Sequence, residues 1–344
     1  MSFTESEVDL KSALEAVADG RALSAAEAEA TFDSFMNGSA PEIQMAGFLV
    51  GLEAKGVEPS EVAGGVRALR KVMVPVAASD PSSLVDTAGT GGGGVTTFNI
   101  STAAAIVTAG AGVPVAKHGN RSFTSRSGSA DVLEALGVGI QLTADQMSDV
   151  LEEAGIVFMF APLLHPAMRH VGPVRKALGI TTIMNILGPL TNPAGARRQV
   201  IGVADPTLID LIAGALLELG HIRALIVHGE PGMDEVSPAA GTRVAELREG
   251  VVRDYEINPE DLGVESVELG EIAGGEPSDN AAIIEEVLQG ESGPPRAAVV
   301  VNAAAALFVS GVADSLSEGA RLAETAIDGG AAMAALERLR SASN

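Results

Sequence analysis

Between Asp86 and Asp131 the chain reads DTAGTGGGGVTTFNISTAAAIVTAGAGVPVAKHGNRSFTSRSGSAD, which gathers glycine backbone, hydroxyls and one lysine in the pattern of a phosphate site. An apolar start at Leu84-Val85 runs into Gly89-Thr90-Gly91-Gly92-Gly93-Gly94, and a segment of good helix content follows from Ser101. The order is strand, glycine loop, helix. Glycine lacks a Cβ, so consecutive N–H groups can turn toward one anion, and a helix beginning near Asn99 or Ser101 adds the positive end of its dipole. No Gly-Lys-Ser/Thr follows the loop, and no acidic ribose anchor lies at a strand end about 20 residues on, so it is neither a P-loop nor a dinucleotide fingerprint. A second strand-like run ends in Lys117-His118-Gly119-Asn120-Arg121. A lysine straight after the apolar Val113-Pro114-Val115-Ala116, in a chain with only five lysines, reads as a ligand contact rather than as solvated surface.

The elements that must position these groups follow from periodicity. Residues 5–18, 24–36, 41–55 and 59–71 carry apolar residues at helical spacing, with start signals at Ser24, Ser39/Pro41 and Pro59/Ser60, which predicts a helical N-terminal unit. Beyond Pro75, short aliphatic runs at 83–86, 113–115, 156–159, 200–202, 224–228 and 298–301 alternate with helical ones. Such alternation implies an α/β fold: a small all-helical domain plus a larger α/β domain with a central, mainly parallel sheet. A further helix is expected over 165–178, and loops near 75–82 and 276–279. The apolar stretches 100–116 and 297–312 are too short and too interrupted to span a membrane, and read as buried strand and helix.

Composition agrees with a globular enzyme. The chain has 344 residues, 47% hydrophobic and 19% charged, which excludes a disordered class and allows two domains. With no cysteine, thiolate catalysis, disulfides and cysteine-ligated metal centres are excluded, and a reducing compartment is permitted. The acidic, amphipathic N-terminus has no secretion signal, so a cytoplasmic location is expected. A net charge of −23 repels nucleic acid and anionic membrane, so neither is an expected partner. The lysine-poor, alanine-rich, acidic composition fits adaptation to high salt and equally an ordinary acidic protein with arginine-biased coding.

GTGG…NIST…VAKHGNR…SGSADVLEALG, then HPAMRHVGPVRKALGITTIMNILGPLTNP, then Gly232-Met233-Asp234-Glu235-Val236-Ser237, resemble the anthranilate phosphoribosyltransferase family over nearly the whole chain. The resemblance implies transfer of the phosphoribosyl group of phosphoribosyl pyrophosphate (PRPP) to the amine of anthranilate, with release of pyrophosphate, in tryptophan biosynthesis. It also implies a nucleoside phosphorylase/phosphoribosyltransferase-like architecture. Residues 1–73 would form the helical domain, 165–180 would return to it, and 76–164 with 181–344 would form the PRPP-binding α/β domain. A homodimer through the helical domain is the family expectation. The alternatives are a pyrimidine nucleoside phosphorylase-like enzyme and a non-catalytic nucleic-acid-binding relative. The Lys-His-Gly-Asn-Arg run with the Asp234-Glu235 pair argues against the first, and the negative charge against the second.

Carried over residue by residue, the resemblance assigns PRPP to Gly89, Gly92, Gly93, Thr97, Asn99, Ile100, Ser101, Thr102, Lys117, His118, Gly119, Asn120, Arg121, Ser122, Phe123, Thr124, Ser125 and Ser129. Anthranilate falls to Gly89, Asn120 and Arg175, whose guanidinium fork suits a planar carboxylate. His118, His165 and Arg169 would line the same entrance. Asp234 and Glu235, with Ser101, would hold Mg2+, a hard cation that uses few protein ligands beside a pyrophosphate. No residue beyond substrate and metal ligands is expected to be catalytic, because an aromatic amine is already unprotonated at neutral pH. His118, His165 and His170 lack the spacing of a helix-borne zinc motif. Two departures stand out: the family loop usually reads GTGGDG, and Gly93 replaces that aspartate, while Thr181 stands where an arginine is often seen.

Overall fold

A computed structural model describes residues 10–122 and 126–344. Four helices open the chain: α1 (Leu10–Ala18), α2 (Ala25–Met36), α3 (Glu42–Lys55) and α4 (Pro59–Val72). Their starts are chemically marked. The Ser24 hydroxyl accepts the Glu27 N–H at 3.3 Å while the Glu27 carboxylate accepts the Ser24 N–H at 2.9 Å, a capping box that satisfies two otherwise orphaned donors. Phe32, Phe35 and Phe48 close the bundle edge to face, with ring centroids 5.4 to 5.8 Å apart.

The larger unit alternates β1 (Val85–Gly89), α5 (Ile100–Gly110), β2 (Val115–Gly119), α6 (Ser129–Ala135), α7 (Ala144–Ala154) and β3 (Ile156–Phe160). Next come α8 (Ala161–Leu164), α9 (Met168–Leu178) and α10 (Met184–Leu187), then β4 (Arg198–Gly202), α11 (Leu208–Glu218), β5 (Arg223–Gly229), β6 (Thr242–Arg248) and β7 (Val251–Ile257). Four helices close the chain: α12 (Pro277–Leu288), α13 (Pro294–Ser310), α14 (Leu316–Asp328) and α15 (Ala331–Ser343). The seven strands lie in the order β3-β2-β1-β4-β5-β6-β7, parallel from β3 to β5 and antiparallel beyond. Strand order reverses at β1 and β4, so the crevice beyond their carboxyl ends is the natural ligand site of an open α/β sheet.

Each face of the sheet has its own core. On one, α5, α13 and α15 pack through residues such as Ile106, Val301, Leu307 and Leu336. On the other, α11 joins the helical bundle, so that Ile212 and Leu216 share a core with Phe32, Leu49, Val171 and Leu187. Helix α9 packs against α2 and α3, which brings the segment carrying Arg175 back to the bundle.

Two local expectations are corrected. Residues 298–301 are helical, inside α13: their three valines favour strand, but Pro294 at the helix start, the flanking alanines and the left-handed Gly311 at its end enclose one continuous buried helix. Residues 276–279 are the cap and first turn of α12, with the Asp279 carboxylate accepting the Glu276 N–H at 3.1 Å. The hairpin β6–β7 adds two strands absent from the sequence reading. Its turn, Glu249-Gly250, has positive φ at both residues (54° and 75°), the geometry of a tight hairpin in which a glutamate is unexpected. No helix among the described residues is long and apolar enough to cross a membrane.

Candidate active site

Gly89 ends β1 and Gly202 ends β4, and the two are register partners. A Cβ on Gly202 would lie 1.7 Å from the Asp234 carbonyl oxygen, and one on Gly89 would lie 2.6 Å from Asp234 Oδ2. Both positions must be bare because the loop after β5 crosses the strand ends there. That crossing delivers the acidic pair. Asp234 Oδ2 accepts the Gly91 N–H at 2.9 Å, and Glu235 Oε1 accepts the Ser101 N–H at 3.1 Å at the start of α5. A carboxylate there is favoured by the helix dipole. Desolvation nonetheless raises Asp234, and pushes Glu235 up to about 8 with help from Asp234, against the opposing pull of Lys117 and Ser101.

Lys117, on β2, is buried and turned toward the same corner. Its ammonium donates to the Thr87 carbonyl at 2.5 Å, to Thr87 Oγ1 at 3.2 Å and to Ser101 Oγ at 3.3 Å. Burial lowers its pKa, while Asp86 and Glu235 favour the charged form. Asp86 is a support the sequence reading missed. It is fully buried and accepts the His118 N–H at 3.1 Å, Asn192 Nδ2 at 2.9 Å and Gln199 Nε2 at 3.0 Å. Asn302 is another: it exchanges bonds with both backbone groups of Val236, at 2.8 and 2.9 Å, directly after Glu235. An asparagine in the apolar run 298–309 was the available signal.

Asn99 caps α5 without a side-chain capping bond; its amide is engaged by Ser127, donating to the Ser127 carbonyl at 3.1 Å and accepting from Ser127 Oγ at 3.0 Å. Ser129 opens α6 behind it. Gly91 and Gly92 adopt positive φ, and nothing lies within 4 Å of a Cβ built on either. A side chain at Gly93 would project toward Gly232 O (3.0 Å) and Asp234 Oδ1 (3.5 Å). An aspartate at that position would therefore add a carboxylate beside Asp234.

The other expected contacts have the following partners in the structure. Ile100 is buried and its N–H bonds the Phe98 carbonyl at 2.8 Å; the Thr102 N–H bonds the Asn99 carbonyl, and its buried hydroxyl lacks a partner among the described residues. Thr97 forms an isolated bridge with Ala273. Asn120 accepts the following Arg121 N–H at 2.7 Å. Arg121 pairs with Asp131 and Glu134, both at 2.6 Å, and lies over the Phe160 ring. The Ser122 N–H reaches Asp131 Oδ2 at 3.3 Å, and Gly119 approaches the Phe158 ring. Phe123, Thr124 and Ser125 lie outside the described residues.

On the other wall, His118 Nε2 and His165 Nε2 are 3.1 Å apart, so one ring donates and the other accepts. Burial, and for His118 also the neighbouring His165, holds them neutral at about 3 and about 4. Arg169 donates to His170 at 3.2 Å. The guanidinium of Arg175, half-buried on α9, has no hydrogen-bond or ion-pair partner among the described residues, and burial lowers its pKa. Among the described residues it is a half-buried cation without an anion. Among the described residues no group of three or more His, Cys, Asp or Glu could hold a metal, so a cation here would rest on the carboxylate pair, the Ser101 hydroxyl and the substrate's own oxygens.

Comparison with known proteins agrees with this geometry. Residues 11–73 match the helical bundle domain of the glycosyl transferase family, and residues 81–333 match its a/b domain. Anthranilate phosphoribosyltransferase of Rubrobacter xylanophilus is 50% identical over 330 residues, covering 96% of each chain. That of Methanosarcina acetivorans is 48% identical over 96% of this chain and 89% of its own. The crystal structure of the Thermus thermophilus enzyme superposes with a TM-score of 0.91 at 42% identity, covering 96% of this chain and 98% of that one. The Saccharomyces cerevisiae enzyme in complex with PRPP and Mg superposes at 0.86 with 29% identity, covering 98% of each. With both domain models matched and near-half identity across almost its full length, the chain belongs to the anthranilate phosphoribosyltransferase family, the glycosyltransferases that join anthranilate to PRPP in tryptophan biosynthesis.

Proposed function

We propose that the crevice beyond β1, β2 and β4 binds PRPP between the glycine loop, the α5 start and Lys117, and that anthranilate enters from the side of α9 with its carboxylate on Arg175. The observation that carries this is the buried Lys117 ammonium within 3.3 Å of Ser101 Oγ, at the mouth of a loop whose glycines leave N–H groups free of side chains. Lysine supplies a point charge, the loop supplies donors, and Asn99 and Ser101 supply side-chain groups for a ligand rich in phosphate oxygens. Residues 76–164 and 181–344 carry that cradle, while 1–73 with 165–180 carry the arginine that orients the acceptor.

Asp234, Glu235 and Ser101 would hold Mg2+. They fit it chemically: the donors are hard oxygens, and both carboxyls are pushed toward the neutral form by a desolvation that a divalent cation relieves. When bound, the ion supplies charge stabilisation for pyrophosphate. The amine lone pair forms the new N–C1 bond as the C1–O bond to pyrophosphate breaks, the bonding electrons leave with pyrophosphate, and the amine proton passes to solvent. Lys117 and the loop donors stabilise the negative charge gathering on the leaving group. The histidine pair stays neutral, which leaves Arg175 as the cation set for the anthranilate carboxylate. A homodimer would cover Ile43, 83% exposed, and Val50 one heptad on along the same face of α3.

Lys117→Met tests the cradle. It should lower the unliganded midpoint, because buried Asp86 loses its neighbouring cation, and in addition abolish most of the rise above that midpoint that PRPP gives the wild type. Undiminished PRPP protection in the variant refutes the assignment.

A further inference from the structure

We infer that Asn280, in the first turn of α12, is a positioning residue for the phosphate cradle: it fixes the amide of Asn99 so that an N–H, and not the carbonyl, is left for the substrate's anionic oxygens. This rests on the reading of Asn99 as a PRPP contact.

Asn280 is 1% exposed and stands 181 positions from Asn99 in sequence, yet its Nδ2 donates to Asn99 Oδ1 at 2.9 Å. Its own orientation is set independently, because Asn280 Oδ1 accepts the Gly275 N–H at 2.7 Å and so cannot exchange places with Nδ2. Asn99 Oδ1 thus receives two donors, Asn280 Nδ2 and Ser127 Oγ, which occupies both its lone pairs. One Nδ2 hydrogen goes to the Ser127 carbonyl. The other is the one side-chain group of Asn99 without a partner among the described residues, and it is a donor. A flipped amide would instead present a carbonyl oxygen to a polyanion.

The backbone makes this relay rigid. The Phe98 N–H bonds the Ile272 carbonyl at 3.2 Å, and Thr97 bridges Ala273. A Cβ on Gly274 would lie 2.3 Å from the Thr97 carbonyl oxygen. The turn before α12 is therefore pressed against the loop that ends at Asn99. Helix α12 is thereby the element that sets the donor pattern of the α5 start.

Three variants test this in the intact enzyme with Mg2+ present: N280D, N280A and N99A. In N280D the new carboxylate can only accept, so Asn99 turns its Nδ2 toward it and its oxygen toward substrate. The KM for PRPP should rise at least about tenfold, the loss expected when a hydrogen bond to a charged group is removed. In N280A the Ser127 contacts still favour the native orientation, so the rise should be smaller. The KM for anthranilate should stay within about twofold in both, and PRPP should protect N280D from heat less than it protects the wild type. A general loss of structure would move both KM values and kcat together. If N280D does not fold, N280A carries the test. Folded Asn280 variants with unchanged KM for PRPP, alongside an N99A that raises it, overturn the positioning role alone. An N99A with unchanged KM for PRPP overturns the assignment of Asn99, and the inference with it.

Discussion

Gly202→Ala adds a single methyl group and removes no charge or hydrogen-bonding group, and it should nonetheless be severe. The added Cβ would sit 1.7 Å from the Asp234 carbonyl oxygen. Carbon–oxygen contacts in proteins settle at about 3.3–3.6 Å, so the Asp234 backbone must retreat by about 1.6–1.9 Å. That movement would break the 2.9 Å bond from the Gly91 N–H to Asp234 Oδ2 and the 3.1 Å bond from the Ser101 N–H to Glu235 Oε1, and carry the carboxylate pair away from the cradle. Misplacement of about 1 Å costs on the order of 100-fold in rate, whereas overpacking costs about 1–3 kcal/mol of stability. Steady-state kinetics and thermal unfolding should therefore separate: kcat/KM falls about 100-fold or more in a protein that remains folded at assay temperature. A folded variant with more than half the wild-type kcat/KM would show that the loop crossing does not place the acidic pair for catalysis.

Arg175→Ala should raise the KM for anthranilate by the loss of a charge-assisted hydrogen bond of about 1.5–3 kcal/mol, and leave the KM for PRPP nearly unchanged; equal weakening of both substrates removes the carboxylate role. Gly93→Asp places a side chain toward Asp234 Oδ1, 3.5 Å from the added Cβ, and should shift the Mg2+ dependence of the rate; a titration superimposable on wild type would show that position 93 does not face the metal-bound pyrophosphate. Acid should destabilise the protein through its buried histidines. His118, His165 and His221 have native pKa values depressed to about 3, 4 and 3, so below the unfolded value near 6.5 the unfolded state binds protons that the native state does not. The stability they contribute is complete above about pH 6.5 and declines as pH falls toward 4, by up to about 1.4 kcal/mol per unit per histidine. His221→Gln should flatten that decline between pH 6.5 and 4, and an unchanged slope would contradict the linkage.

The helical unit was legible because its signals are local: the cap at Ser24, the helix-starting Pro59 and apolar residues at helical spacing need no tertiary partner. The glycine loop, Lys117 and the Asp234-Glu235 pair were legible as residue types. Their convergence was not, since it depends on Gly202 and Gly89 admitting the loop after β5 across two strand ends. Residues 298–301 misled because three valines carry strand propensity whichever element they occupy, and burial among alanines decided for helix. The hairpin β6–β7 was hidden by its Glu249-Gly250 turn, where the usual Asn or Asp is absent. Asp86, Asn280 and Asn302 act through hydrogen bonds between distant parts of the chain, which no spacing rule reaches.

In the proposed reaction the crevice beyond β1, β2 and β4 joins anthranilate to PRPP with the help of a divalent cation. Anthranilate fluorescence followed with the purified protein, alongside pyrophosphate release, tests it most directly. The expected result is a loss of fluorescence that requires both PRPP and Mg2+, matches pyrophosphate one for one, and disappears in Lys117→Met. Fluorescence that persists with all components present, or pyrophosphate released without consumption of anthranilate, would contradict it.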